Sequence, residues 1–147
     1  MLLKSLCLVL ASLFVGGAAQ ADPAGAAVET RGFHGKVRAE LDQLGRLSEL
    51  NGKYRLRVTE VTIDADGMMG PHHHLGPGVR CLSAGELTYT IKGQTTVYRS
   101  GDCFTETGDV SHEARNVGKD PVVLLNFEIL PASLPTTKSS LAPVPAP

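Results

Sequence analysis

In the middle of the chain the apolar residues recur with a period of two, and this limits the fold more than any other feature. In "ELTYTIKGQTTVY", Leu87, Tyr89 and Ile91 alternate with Thr88, Thr90 and Lys92, and the pattern resumes at Thr95 and Val97 beyond Lys92-Gly93-Gln94. Successive strand side chains point to opposite faces, so two such runs around a glycine-containing turn predict a β-hairpin. "YRLRVTEVTI" alternates Tyr54, Leu56 and Val58, then changes phase to Val61 and Ile63. That shift predicts a bulge or a barrel corner within the strand. "DCFTE" (102–106) and "PVVLLNFEIL" (121–130) predict two more strands, the second apolar on both faces as if enclosed between two layers. One short helix is predicted at "KVRAELDQL" (36–44), where Val37, Leu41 and Leu44 share a helical face and Gly45 ends the run. Short strands with turn glycines at Gly85, Gly93, Gly101 and Gly118 leave an antiparallel sandwich or barrel. The expected fold class is all-β.

The ends of the chain read differently. Residues 1–21, "MLLKSLCLVLASLFVGGAAQA", carry one cation, Lys4, then an apolar run and the small-x-small ending Ala19-Gln20-Ala21. The run is too short to span a bilayer, so the segment reads as a secretory signal peptide. Its removal leaves 126 of 147 residues and, because Lys4 is its only charged group, moves the formal charge from −1 to −2. The expected destination is secreted, the bacterial periplasm, with no membrane attachment after cleavage. Without a basic patch, nucleic acid is a poor partner. Residues 22–32 are expected to be a flexible segment, 33–130 the single domain, and the Pro-rich 131–147 a disordered tail. Of the two cysteines beyond the signal, Cys81 and Cys103, a secretory route permits a disulfide, but two separate buried thiols are the blander reading.

Three of the five histidines stand together in "GMMGPHHHLGPGVR" (67–80). On a strand His72 and His74 would face one way and His73 the other, and two imidazoles at that spacing can share a cation. Taken alone, a histidine run in a Pro/Gly-rich loop is more often solvated surface. His112, in "GDVSHEARN", is the remaining candidate that a small barrel could bring opposite.

These residues resemble the two motifs of the cupins, a family of small double-stranded β-helix, or jelly-roll, barrels. Gly67, His72, His74 and Gly85 match the first motif, and Gly101, His112 and Asn116 match the second. Thr107 replaces the usual proline, and Gly108 stands one residue before the usual glycine, where this chain has Asp109. The glutamate ligand of the first motif is missing: its place falls at Gly78, and no acid occurs between His74 and Glu86. The resemblance covers roughly Tyr54 to Leu130. It implies a double-stranded β-helix fold and one divalent transition metal (iron, manganese, zinc, nickel or copper) held by His72, His74 and His112. Some cupins that oxidise thiols with iron use three histidines, so the missing acid does not exclude a metal.

Arg80, two residues after Gly78, would face the cavity in that register and form a fork for a carboxylate-bearing small molecule. The alternative is a rim arginine paired with a surface acid. Glu106 reads first as a surface strand residue, with an acid–base group or replacement ligand as the less frequent role. Met68 and Met69 read as turn or rim packing. The resemblance implies metal-dependent chemistry, dioxygenase- or isomerase-like, on a small anionic molecule. A non-catalytic ligand- or metal-binding module, or a structural or homodimer-forming domain with a vestigial site, are the competing readings.

Overall fold

A computed structural model describes residues 27–144. The expected signal peptide, 1–21, lies outside them. Nine strands make up the fold: β1 Thr30–Leu41, β2 Tyr54–His74, β3 Gly78–Ala84, β4 Glu86–Ile91, β5 Gln94–Arg99, β6 Cys103–Glu106, β7 His112–Arg115, β8 Val122–Pro131 and β9 Leu141–Pro143, with a 3-10 segment at Gly45–Leu50. Their order is β5-β4-β7-β2-β8-β3-β6, with β1 and β9 also pairing with β2. All pairings are antiparallel, and they wrap into a nearly closed barrel, the double-stranded β-helix expected. The 21-residue β2 is the hub, because its two halves serve different neighbours. Residues 54–63 pair with β8, while Met68, Met69 and His72 pair with β7.

Alternation drives the core inward. Val61, Ile63, Met69, Leu82, Leu87, Tyr89, Phe104, Ala114, Val122 and Leu124 form one buried cluster. Met68 is buried too, so both methionines are core rather than rim residues. The hairpin of β4 and β5 turns on Lys92 and Gly93, both at positive φ (51° and 74°), the backbone required by the tight two-residue turn that matches strand twist.

Several expectations fail, each for a physical reason. The predicted helix is part of β1: Val37 lies opposite Thr59 and lines the cavity, while a register shift between Val37 and Ala39 turns Leu41, opposite Leu56, to the outer face. That strand begins at Thr30, inside the segment expected to be loose, and pairs Thr30 with Met69. The phase change in β2 is no bulge. Tyr54 through Ile63 pair with β8 without a break, and inward positions 57 and 59 are polar because Arg57 and Thr59 line a cavity. Register shifts occur instead between β1 and β2, at Arg31/Phe33 and Val37/Ala39, and between β2 and β7, at Met69/His72. On β8 the outward Phe127 and Ile129 are 37 % and 44 % exposed, so no second layer among the described residues covers them.

A further correction concerns the tail. Residues 131–144 are docked, not loose. Leu141, Ala142 and Pro143 pair with His74, His73 and His72, and Ala142 and Ser140 are buried. The strap before them is held by Arg57, whose guanidinium donates to the carbonyls of Leu134 (3.2 Å), Pro135 (3.1 Å) and Lys138 (2.9 Å) and to Glu40 (2.8 Å). Thr136 donates to Glu40 as well, at 2.6 Å. Composition favours a mobile segment, but a buried cation offers this one's backbone carbonyls the partners they need. Cys81 and Cys103 also depart from the blander reading: they are bonded as a disulfide across the β3–β6 pair, with Cα atoms 4.1 Å apart.

Candidate metal centre

His72 and His74 lie at the end of β2 and His112 at the start of β7, directly across from His72 in register. All three are buried, and one ring nitrogen from each lies within 4.8 Å of the others, a group that could hold a metal ion. Histidine–metal bonds are about 2.0–2.1 Å, so only nitrogens gathered this closely could share one ion. His73 is half-buried on the other face.

Each ligand candidate is oriented through its far nitrogen. His72 Nδ1 lies 2.7 Å from the carbonyl of Gly70, and His112 Nδ1 lies 2.9 Å from that of Val110. His74 Nδ1 lies 3.1 Å from Glu128 Oε1 and 3.3 Å from the hydroxyl of Ser140. Carbonyls and carboxylates only accept, so each Nδ1 carries the hydrogen and each Nε2 presents its lone pair inward. Burial pushes the pKa of His72 down to about 3, opposed in part by its bond to Gly70. Burial likewise lowers that of His112, partly offset by the charge of Glu106. Neutral imidazoles are what a metal requires.

The carboxylates come from strands beside Gly78. In register Gly78 faces Glu106 of β6 on one side and Glu128 of β8 on the other. A Cβ at position 78 would lie 2.0 Å from Arg80 Nη1 and 2.6 Å from the carbonyl oxygen of Phe127, so the Arg80 guanidinium fills the space a side chain there would take. Arg80 is 2 % exposed, and its Nη2 lies 2.8 Å from Glu106 Oε2 and 3.0 Å from Glu128 Oε1. It points into the cavity and is paired with buried acids, not with the surface acid of the alternative reading. Burial raises the pKa of Glu128, but its contacts with His74, Arg80 and Ser140 outweigh that and hold it below the ordinary value.

Glu106 is buried rather than on the surface, with Oε1 3.2 Å from His112 Nε2 and Oε2 3.2 Å from His74 Nε2. A cavity of about 200 Å³ opens beside these groups, lined by Phe33, Tyr89 and Phe104 among others. Burial and the charge of Glu106 push the Tyr89 hydroxyl up, keeping it protonated. Asn116, matched to the second motif, stands outside the centre: its amide nitrogen donates to the carbonyls of Ile63, Asp64 and Asp120, clamping the β7–β8 turn.

The sequence reading missed Glu128 and Arg57. A signal was present in both strands: Asn126 and Glu128 share the inward face of Val122, Leu124 and Leu130, and Arg57 shares that of Val61 and Ile63. Polar groups on a core face need partners or a ligand.

An all-β double-stranded helix with three convergent buried histidines defines the class. Residues 59–128 match the family Cupin_2, described as a cupin domain. Solved structures agree on the fold. A cupin domain from Bordetella pertussis Tohama I shares 20 % identity at a TM-score of 0.52, covering 70 % of this chain and 98 % of its own. A cupin superfamily protein from Desulfitobacterium hafniense DCB-2 shares 14 % at 0.52, covering 82 % and 99 %. KdgF from Halomonas sp. shares 18 % at 0.51, covering 68 % and 84 %. Residues 59–128 are thus similar to a cupin domain, and these neighbours share the fold. No curated protein gives a significant match.

Proposed function

We propose that the protein is a secreted cupin that holds one divalent transition metal at His72, His74 and His112 and uses it in dioxygenase- or isomerase-like chemistry on a small anionic molecule. One observation carries the reading: each Nδ1 is committed to an acceptor, so three Nε2 lone pairs are aimed at one buried space. A bound metal of this type supplies Lewis acidity and, for iron, manganese or copper, redox chemistry.

The chain's own groups set the rest. A dication and Arg80 against Glu106 and Glu128 leave one net positive charge around the cavity, which suits a monoanion such as a small carboxylate. Arg80 Nη1 is buried without a partner and offers a donor for it. Phe33, Tyr89 and Phe104 would pack the apolar body of the ligand and exclude water. Secretion is supported by the signal-like residues 1–21 and by the Cys81–Cys103 bond, since disulfides persist in oxidising compartments.

Arg80 already has two carboxylate partners within the protein, which favours a second reading, a binding module without turnover. Metal analysis of protein from its native compartment separates them. A stoichiometric redox metal supports the enzyme, and a non-redox metal with carboxylate binding but no turnover supports the module. Protein that neither contains metal nor takes up added iron, manganese, zinc, nickel or copper would overturn both.

A further inference from the structure

We propose that Glu106 is a fourth protein ligand of the metal, a carboxylate delivered from β6, with Arg80 as the positioning residue that holds it there. The inference rests on the metal-binding reading above and adds a residue to it.

The contacts of Glu106 are hard to explain otherwise. Its two oxygens each lie 3.2 Å from an Nε2, of His112 and of His74 respectively. Both imidazoles carry their hydrogen on Nδ1, so in the neutral tautomers carboxylate lone pairs face imidazole lone pairs. That arrangement is repulsive unless a proton or a metal ion lies between them. Two ligand atoms bound at about 2.1 Å to one metal stand roughly 3.0–3.4 Å apart, for angles from octahedral to tetrahedral, and 3.2 Å lies in that interval. The third imidazole nitrogen, His72 Nε2, is buried without a hydrogen-bond partner.

The surroundings aim the carboxylate. Arg80 Nη2 approaches Oε2 at 2.8 Å and, because Gly78 has no side chain, its guanidinium can occupy the gap between Glu106 and Glu128. Glu128 is turned to the other side of His74, against Nδ1, and so acts through that imidazole. The two acids therefore divide the work: Glu106 reaches the metal side of the histidines and Glu128 their outer side.

The test is a titration of the full mature chain with Co²⁺ and with Zn²⁺, followed by the cobalt visible spectrum and by calorimetry. Wild-type protein should bind one ion, and His112→Ala should abolish tight binding. Glu106→Gln should weaken affinity by about 100-fold or more, beyond the 10–100-fold typical of partners acting through a ligand, and should change the cobalt bands. Glu106→Asp keeps the charge against Arg80 but withdraws the oxygens by one methylene, and it keeps the test open should the glutamine variant not fold. It should also shift the bands. Arg80→Met should shift them as well while leaving one ion bound, a spectral change that a merely structural arginine would not cause. Cobalt bands unchanged in both Glu106 variants would overturn the proposal and leave a three-histidine site. Wild-type protein that binds neither ion would instead remove the reading on which it rests.

Discussion

Replacing Arg57 with methionine should release residues 134–138 from the barrel and cost about 3 kcal/mol. The guanidinium is 1 % exposed and makes four bonds, three to strap carbonyls and one to Glu40. Hydrogen bonds to a charged group contribute about 1.5–3 kcal/mol each, and breaking a buried ion pair costs roughly 3–5 kcal/mol. These figures do not add here, because a strap without its clamp can turn its carbonyls to water and recover part of the loss. The total is therefore set near that of one broken pair. For a domain of about 120 residues the unfolding entropy makes 1 kcal/mol worth roughly 4 °C, so Tm should fall by about 12 °C. Truncation after residue 132 should lower Tm by a similar amount, and adding Arg57→Met to the truncated chain should then cost much less, since the two changes remove the same interaction. Calorimetric melts of the four proteins check this. A fall under about 4 °C for Arg57→Met, or full additivity of the two changes, would refute the clamp.

Three further outcomes are expected. Acid should loosen the same strap: burial raises the Glu40 pKa, but bonds from Thr136, Arg57 and Arg55 lower it below 4.5 overall. A depressed acid stabilises the fold fully above its unfolded pKa and loses that contribution as pH falls through the folded value, so melts from pH 6 to 3 should steepen below about 4.5 and flatten in Glu40→Gln. Reducing Cys81–Cys103, which closes a separation of 22 residues, should cost at most about 3.4 kcal/mol by the chain-entropy argument, measured by urea titration with and without reductant. Gly78→Ala should destabilise by roughly 1–3 kcal/mol, because its Cβ meets the Phe127 carbonyl as well as the movable Arg80. Equal urea midpoints for Gly78→Ala and wild type would show that β3 yields easily at that point.

The strands were legible where inward positions are uniformly apolar, as in the β4–β5 hairpin, and misleading where they line the cavity. In β2 the polar Arg57 and Thr59 hide the inward phase, and the outward Leu56 and Val58 imitate it. Val37 and Leu41 failed for a different reason: their spacing imitates a helical face, but an irregularity between them puts the two on opposite faces of β1. The His-x-His pair could be oriented from alternation alone, whereas bringing His112 opposite required a pairing that no local pattern encodes. Glu106 is the instructive miss: it shares an inward face with Phe104, so alternation already argued against a surface position. What no residue count could supply is that Arg80 lies in the gap left by Gly78, since that depends on register across three strands.

β6 has four residues, sits at the end of the strand order, and pairs with β3 alone among the described strands. Such an edge should fray at a free energy well below that of global unfolding. Because side chains alternate, a slip of one residue would turn Glu106 from the cavity to solvent. The Cys81–Cys103 bond joins residues that face each other only in the observed register, so it ties the opening of the edge strand to that of β3, which has neighbours on both sides. Amide exchange in β6 should therefore track β3 while the bond is intact and rise to edge-strand rates once it is reduced. A covalent link on the outside of the wall thus governs how often a carboxylate is presented on the inside.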